Sequence, residues 1–358
     1  MKPVIIAILL SSLAIAALGQ AEPPQLQHAN LVTRNAADLA AEIRRIAGEK
    51  RASWIAYSVP SIAPGQQMCC FSSSEGITAS CGCALERQDR GQSTRHIEGM
   101  TNAHLESRPY FYVFLRTEGR AFQKVRTLSA DCPTDADGMT VYWLGSARAA
   151  DSVAFLASLV GAMPEESDSD RLTDGAILAI AYSDDSSADQ ALDQFLVASE
   201  PYSIRKRAAF WTAQMRGGAG LQKLIALMHS DSDEQFRSEL TFDISQSKRP
   251  EGQAELLRVA HQDQSSRVRG QALFWLAQKA GNKIAGAIND AIENDPDTEV
   301  KRRAVFALTQ MPEGEGIPLL IQVAKTNNNP AVRQQAVFWL GQSHDPRALD
   351  FIESVLAR

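Results

Sequence analysis

From about residue 165 to the C-terminus, apolar and polar positions recur with a fixed period. Ile204, Phe236, Val268, Val300 and Val332 stand 32 residues apart, and one further step back reaches Leu172. Four residues beyond each lies a second apolar column: Ala176, Ala208, Leu240, Ala272, Ala304 and Ala336. Six beyond lies a third, Leu178 followed by Phe210, Phe242, Phe274, Phe306 and Phe338. A separate set with the same step runs Leu192, Leu224, Leu256, Ile288, Leu320 and Ile352, with Phe195, Leu227, Val259, Ala291, Val323 and Val355 three residues on. Each unit thus holds two apolar segments of helical spacing, divided by polar stretches such as ENDPDTE (293–299) and KTNNNPA (325–331). Two short helices cannot bury a face alone, so the units must stack on one another. The pattern predicts a mainly α chain: an α-solenoid of about six 32-residue helix pairs spanning 149–358, its lone last helix (DPRALDFIESVLAR) acting as a cap.

Within the second helix of a unit, offsets zero, four and eight from the Leu172 column should face the paired first helix. Offsets one, five and seven should cover neighbouring units. A helix sandwiched in this way is apolar nearly all round, which accounts for Trp211, Trp275 and Trp339 as packing residues; they alternate with Asp243 and Ala307. Offset ten is glutamine in units two to six: Gln214, Gln246, Gln278, Gln310 and Gln342. At about 100° per residue, offsets three, six and ten share the inner face, which also presents Arg207, Glu239, Gln271, Arg303 and Gln335. Amides beside aromatics could hold the backbone of an extended peptide, each bond contributing about 1 kcal/mol; the asparagine ladder of armadillo proteins is an analogy. The alternative is that the glutamines bond neighbouring helix ends.

An Asp followed by Val-Arg-x-x-Ala resembles the HEAT repeat. Its acidic column appears as Asp231, Asp263 and Asp295, with Ser199 and Asn327 departing, and its basic column as Arg205, Arg237, Arg269, Lys301 and Arg333. The resemblance implies a structural ladder linking neighbouring units rather than a catalytic set. The subfamily resembles the bacterial HEAT-like group that includes phycobilin lyases, but no motif of that chemistry is present. The repeated His-Glu pairs that such resemblance would imply for a di-iron hydroxylase are absent, since no His is immediately followed by Glu here. The six histidines are scattered; His229 and His261 share an offset and precede polar loops, as solvated or C-capping residues do.

Before the array the pattern changes. NAADLAAEIRRIAG (35–48) reads as a helix, and 54–60, 109–116, 121–129 and 139–144 as strands. Turns at 117–120 and 134–138 divide the strands, predicting a small α+β domain (22–148) with an antiparallel sheet. A helix from Asp151, capped by Asp or Ser, and a polar loop at 166–170 lead into the array. Residues 134–138 fail the calcium-loop pattern, since its first and twelfth ligand positions fall on Pro133 and Leu144.

All five cysteines lie in this region. Without C-x-x-C pairs or added histidines, no metal site is expected. At least one disulfide between the Cys69/Cys70 and Cys81/Cys83 pairs is expected instead, leaving Cys132 to pair within the chain, link to a partner or stay free. The first 21 residues, with Lys2, an apolar run from Val4 to Leu18 and Gly19-x-Ala21, read as a cleaved signal peptide. A periplasmic or secreted protein with no integral membrane span after cleavage follows. Losing Lys2 moves the net charge from −6 to −7, which excludes the basic footprint of a nucleic-acid binder. No G-x-S-x-G elbow is present, and no cofactor is expected. The reading adopted is a non-catalytic scaffold binding a protein or peptide on its concave face. A bilin-lyase-like or other ligand-processing enzyme and an architectural spacer in an envelope complex are the alternatives.

Overall fold

The computed structural model describes residues 21–64, 70–72, 79–81, 83–86, 108–130, 132–161, 169–311 and 314–357. The expected signal segment, most of the polar loop at 166–170 and Cys69 lie outside them. In chain order the N-terminal elements are β1 (Leu26–Gln27), β2 (Asn30–Thr33), α1 (Leu39–Ala47), β3 (Ser53–Pro60), β4 (Cys70–Ser72), β5 (Ala79–Cys81), β6 (Cys83–Ala84), β7 (Tyr110–Glu118), β8 (Ala121–Ser129), β9 (Thr134–Asp135) and β10 (Thr140–Ser146). The five-stranded sheet runs β2-β10-β3-β7-β8.

The sheet is mixed rather than antiparallel throughout. β3, β7 and β8 form an antiparallel meander, but β10 runs parallel to both β2 and β3. The physical reason is the connection from β8, which returns over the sheet through Cys132 and β9 before β10 enters between β2 and β3. Asp38 caps α1 by accepting from Ala41 N at 2.9 Å. Gly119 and Arg120, both at positive φ, make the tight β7–β8 hairpin.

Period-two alternation sends the strands' side chains into two cores. Ile55, Tyr57, Val59, Phe111, Val113 and Leu115 face the helices. Trp54, Ala56, Tyr112, Phe114, Val141 and Trp143 face the layer that carries Leu85, Cys132 and Ala136. Cys132, for which the sequence leaves pairing within the chain, a link to a partner or a free thiol open, is buried and disulfide-bonded, the other sulfur lying outside the described side chains. The backbone register sets Cys70 opposite Cys81 and Cys83 beside Thr134. The 134–138 turn is shorter than expected: β9 pairs parallel with β1 and β6, and the bend itself falls at Asp137 and Gly138, both at positive φ.

The array follows as α2 (Ala149–Ala157), α3 (Ser169–Tyr182), α4 (Ser186–Phe195), α5 (Tyr202–Met215), α6 (Gly217–Ser230), α7 (Glu234–Ser245), α8 (Pro250–Gln262), α9 (Ser266–Ala280), α10 (Ala285–Asn294), α11 (Thr298–Thr309), α12 (Gly316–Thr326), α13 (Pro330–Gln342) and α14 (Pro346–Leu356). Helix α2 starts earlier than expected: its N-cap is Arg148, with no side-chain cap, and Asp151 instead receives Arg148 Nε at 2.7 Å. The second helices of units one to six are α3, α5, α7, α9, α11 and α13. The offset-four column is fully buried in all six, and offset zero is buried likewise.

The polar stretches between helices act as a repeated connector. Asp231 closes α6 and accepts from Asp233 N at 2.9 Å, and Asp233 then caps α7. Asp295 and Asp297 repeat this before α11, and Asn327 and Asn329 before α13. Across units, Arg205 pairs with Asp231, Arg237 with Asp263 at 3.1 Å and Arg269 with Asp295 at 2.8 Å. The terminal nitrogens of Arg237 and Arg269 also reach the Asp231 and Asp263 carbonyls at 2.9 and 2.8 Å. The expected ladder is therefore present, and bonding to Asp295 raises the Arg269 pKa. Where Asn327 replaces Asp, Lys301 turns to the Glu293 carbonyl at 2.6 Å and the ladder loses its charge.

Sheet and array share one core. Helix α3 lies on β8 so closely that a Cβ at Gly175 would stand 2.2 Å from the Val125 carbonyl oxygen. At the far end, α14 buries Ala348 and Phe351 yet leaves Leu349, Val355 and Leu356 exposed beside its charged residues.

Candidate binding surface

Successive second helices pack against one another far more extensively than successive first helices do. The second-helix side is therefore the inner, shorter arc of the stack. The offset-six phenylalanines and offset-seven tryptophans on that side form one unbroken run of rings. Phe111 of β7 meets Tyr182 at 6.1 Å and Tyr182 meets Trp211 at 6.2 Å. The run continues through Phe210, Phe242, Trp275, Phe274, Phe306 and Trp339 to Phe338. Most of these rings are half-buried, and Phe338 at the end is 53% exposed.

The run has a double period. Phe210 and Phe242 stack with 3° between planes, and Phe274 and Phe306 with 10°. Between the stacked pairs come the tilted contacts Phe242–Trp275 (4.8 Å) and Phe306–Trp339 (4.9 Å). Tryptophan at offset seven is accommodated because its neighbours there are Asp243 and Ala307, both buried. The alternation of large and small residues along the sequence is thus an interdigitation between neighbouring units.

Glutamine exposure follows the same alternation. Gln246 and Gln310 are partly buried and donate to their own helix, to Ser245 Oγ at 3.1 Å and Thr309 Oγ1 at 2.9 Å. Gln214, Gln278 and Gln342 are exposed, follow Ala213, Ala277 and Gly341, and make no side-chain hydrogen bond among the described residues. Among the described residues, none of the five bonds a neighbouring helix end.

Over units four to six the inner face opens into a groove of about 470 Å³. Its floor is Phe274, Phe306 and Trp339; Gln271, Arg303 and Gln335, three residues expected on this face, line it together with Glu299 and Arg302. Gly270 creates the space. Ser238 and Arg302 hold its place one unit before and after, and a Cβ there would meet Arg303 Cδ at 2.4 Å. Arg303 Nε donates to Glu299 Oε1 at 3.3 Å, and Arg302 donates through Nε and Nη2 to Gln335 Oε1 at 3.4 and 3.3 Å. Arg207, expected on the same surface, is instead tied to Asp174 of the preceding second helix.

Nearer the sheet the inner side carries a different feature, which the sequence reading passed over as a small packing residue. Asp243 is 1% exposed, and its Oδ2 has no hydrogen-bond partner. Burial, with Glu239 close by, pushes its carboxyl well above the usual carboxylate range, opposed in part by Lys206. Lys206 and Glu239 themselves pair at 2.8 Å. His229 and His261 sit in last helical turns, facing Glu255 at 3.1 Å and Asp290 at 3.5 Å in the next first helix. Among the described residues, no cluster of three or more His, Cys, Asp or Glu is placed to hold a metal, and no helix is long and apolar enough to cross a membrane.

Residues 287–358 match the sequence profile of the HEAT repeats. The array is a solenoid of HEAT-like helix pairs. The match falls on the last units, α10 to α14, whose 32-residue step continues back to the α3 unit and whose basic ladder column continues back to Arg205 in α5. No curated protein sequence matches the chain. Among solved structures, human deoxyhypusine hydroxylase in complex with glycerol is similar at 14% identity over 57% of this chain and 78% of that one, TM-score 0.29. The CpcE–CpcF complex of phycocyanin lyase from Nostoc sp. PCC7120 is similar at 17% identity over 53% and 76%, TM-score 0.30. Kap121p bound to Pho4p is similar at 10% identity over 57% and 27%, TM-score 0.37. These similar structures thus include a hydroxylase, a lyase and a protein bound to another protein.

Proposed function

We propose that this protein is a non-catalytic scaffold that acts outside the cytoplasm, its HEAT units holding a protein or extended peptide along their inner face. The observation that carries the reading is the continuous, half-exposed run of aromatic rings that widens into the groove at Gly270. Rings in such a run offer large apolar contact at little cost in side-chain entropy, as protein-binding surfaces do. Gln214, Gln278 and Gln342, with free amides beside the run, can pair with a bound backbone. The apolar start of the chain and its Gly19-x-Ala21 site support export, and the disulfide at Cys132 accords with an oxidising compartment.

A photo-crosslinking residue at Gln278, on the inner face, compared with one at Gln253, on the exposed side of α8, tests this in cells that express the protein. A discrete crosslinked partner from Gln278 and none from Gln253 is the expected result. Equal crosslinking from both positions, or from Gln253 alone, overturns the reading.

A further inference from the structure

We infer that the groove over HEAT units four to six selects an acidic segment: an extended chain bearing a carboxylate two residues from an aromatic or large aliphatic side chain. The inference rests on the inner-face reading above and adds the chemistry of the ligand.

Charge around the groove is unbalanced. Arg302 and Arg303 share a single carboxylate, Glu299, at 3.5 and 3.3 Å. Two guanidinium groups in the lining thus stand against one acid, in a chain whose net charge is −6. The local field opposes the overall one and favours an anionic ligand at this place.

The donors are also free to take a carboxylate. Arg303 uses Nε on Glu299, and its two terminal nitrogens have no hydrogen-bond partner among the described residues. Its methylenes lie across Gly270, which fixes the fork at the groove edge without covering the rings. A planar fork held by its stem receives a carboxylate through two parallel bonds. A small anion would leave the apolar floor of Phe274, Phe306 and Trp339 uncovered, whereas a peptide covers both. In an extended chain alternate side chains share a face, about 7 Å apart, so the acid and the ring two residues away reach fork and floor together.

The test uses the full chain and fluorescein-labelled peptides, acetylated and amidated at their ends, followed by fluorescence anisotropy. Three peptides are compared: repeats of Glu-Ser-Phe-Ser, of Gln-Ser-Phe-Ser and of Glu-Ser-Ala-Ser. The Glu-Ser-Phe-Ser peptide should bind about tenfold or more tightly than either control, the scale of one charge-assisted bond pair. Arg303→Gln should abolish its advantage over the Gln peptide. Arg207→Gln, in the same column but tied to Asp174, should leave it intact. Equal binding of the Glu and Gln peptides, or an advantage unchanged in Arg303→Gln, overturns acid selection while the inner-face reading stands. No binding by any peptide, with crosslinking from Gln278 retained, also overturns this inference alone; loss of both overturns the two together.

Discussion

Replacing Asp243 by alanine should leave the fold at least as stable near neutral pH and remove a pH dependence from it. The column itself supplies the precedent, since Ala179 and Ala307 hold the same offset and are fully buried. Two costs attach to the carboxyl. When protonated it leaves Oδ2 buried without a partner, at about 1–3 kcal/mol. When ionised, it costs about 1.4 kcal/mol more for each pKa unit by which burial raises it. Alanine removes both and gives up the packing of three heavy atoms, a loss of about 1–2 kcal/mol. The net change near pH 7.5 is therefore between about zero and 2 kcal/mol of added stability. The sign with pH follows from a folded pKa above the unfolded value of about 3.9. The wild type keeps its full stability below that unfolded value and loses it as pH rises through the folded pKa. Urea unfolding followed by circular dichroism at pH 4.5 and 7.5, on both proteins, reads this as a difference of midpoints. Contributions common to both proteins cancel, leaving Asp243 and its coupling to Glu239 and Lys206. A variant that loses more than about 2 kcal/mol at pH 7.5, or one with the wild-type pH dependence, would refute the reasoning.

Asp263→Ala should be costly, by about 3–5 kcal/mol, because it strands the buried Arg237 guanidinium and removes the acceptor for Ser265 N; the midpoint of urea unfolding measures it. Gly175→Ala should separate the sheet from the array, since its Cβ would meet backbone rather than a movable side chain. A loss of about 1–3 kcal/mol, with faster amide exchange in β8 than in α9, is the expected signature. Peptide mapping without reductant should recover Cys132 joined to another cysteine of the same chain, and an unreacted Cys132 thiol would contradict that.

The array was legible because each second helix is buried on three sides, so columns such as Ala176 to Ala336 admit little variation and betray their period. The ladder was legible for the same reason: Arg237 and Arg269 sit at 4% and 10% exposure and need an acid at a fixed distance along the chain. Strand direction was not legible in the sheet. Alternation in 139–144 marks a strand but says nothing of its neighbours, and β10 pairs with β2 and β3, each far away in sequence. The groove was half legible: Gln271, Arg303 and Gln335 follow from helical spacing, whereas the opening depends on one missing side chain at Gly270. Asp243 escaped because, by period alone, a buried aspartate and an alanine look alike as small residues between tryptophans.

The alternation of large and small residues along the inner face means that the array's translational unit is two repeats, not one. Trp211, Trp275 and Trp339 are 64 residues apart, and so are the stacked phenylalanine pairs. Excising 64 residues in register restores the same ring sequence at the junction. Excising 32 sets tryptophan against tryptophan, or aspartate against alanine with a void between. An array of this kind can lengthen or shorten only in even steps without redesigning its seam, so its groove changes by whole pairs of HEAT units.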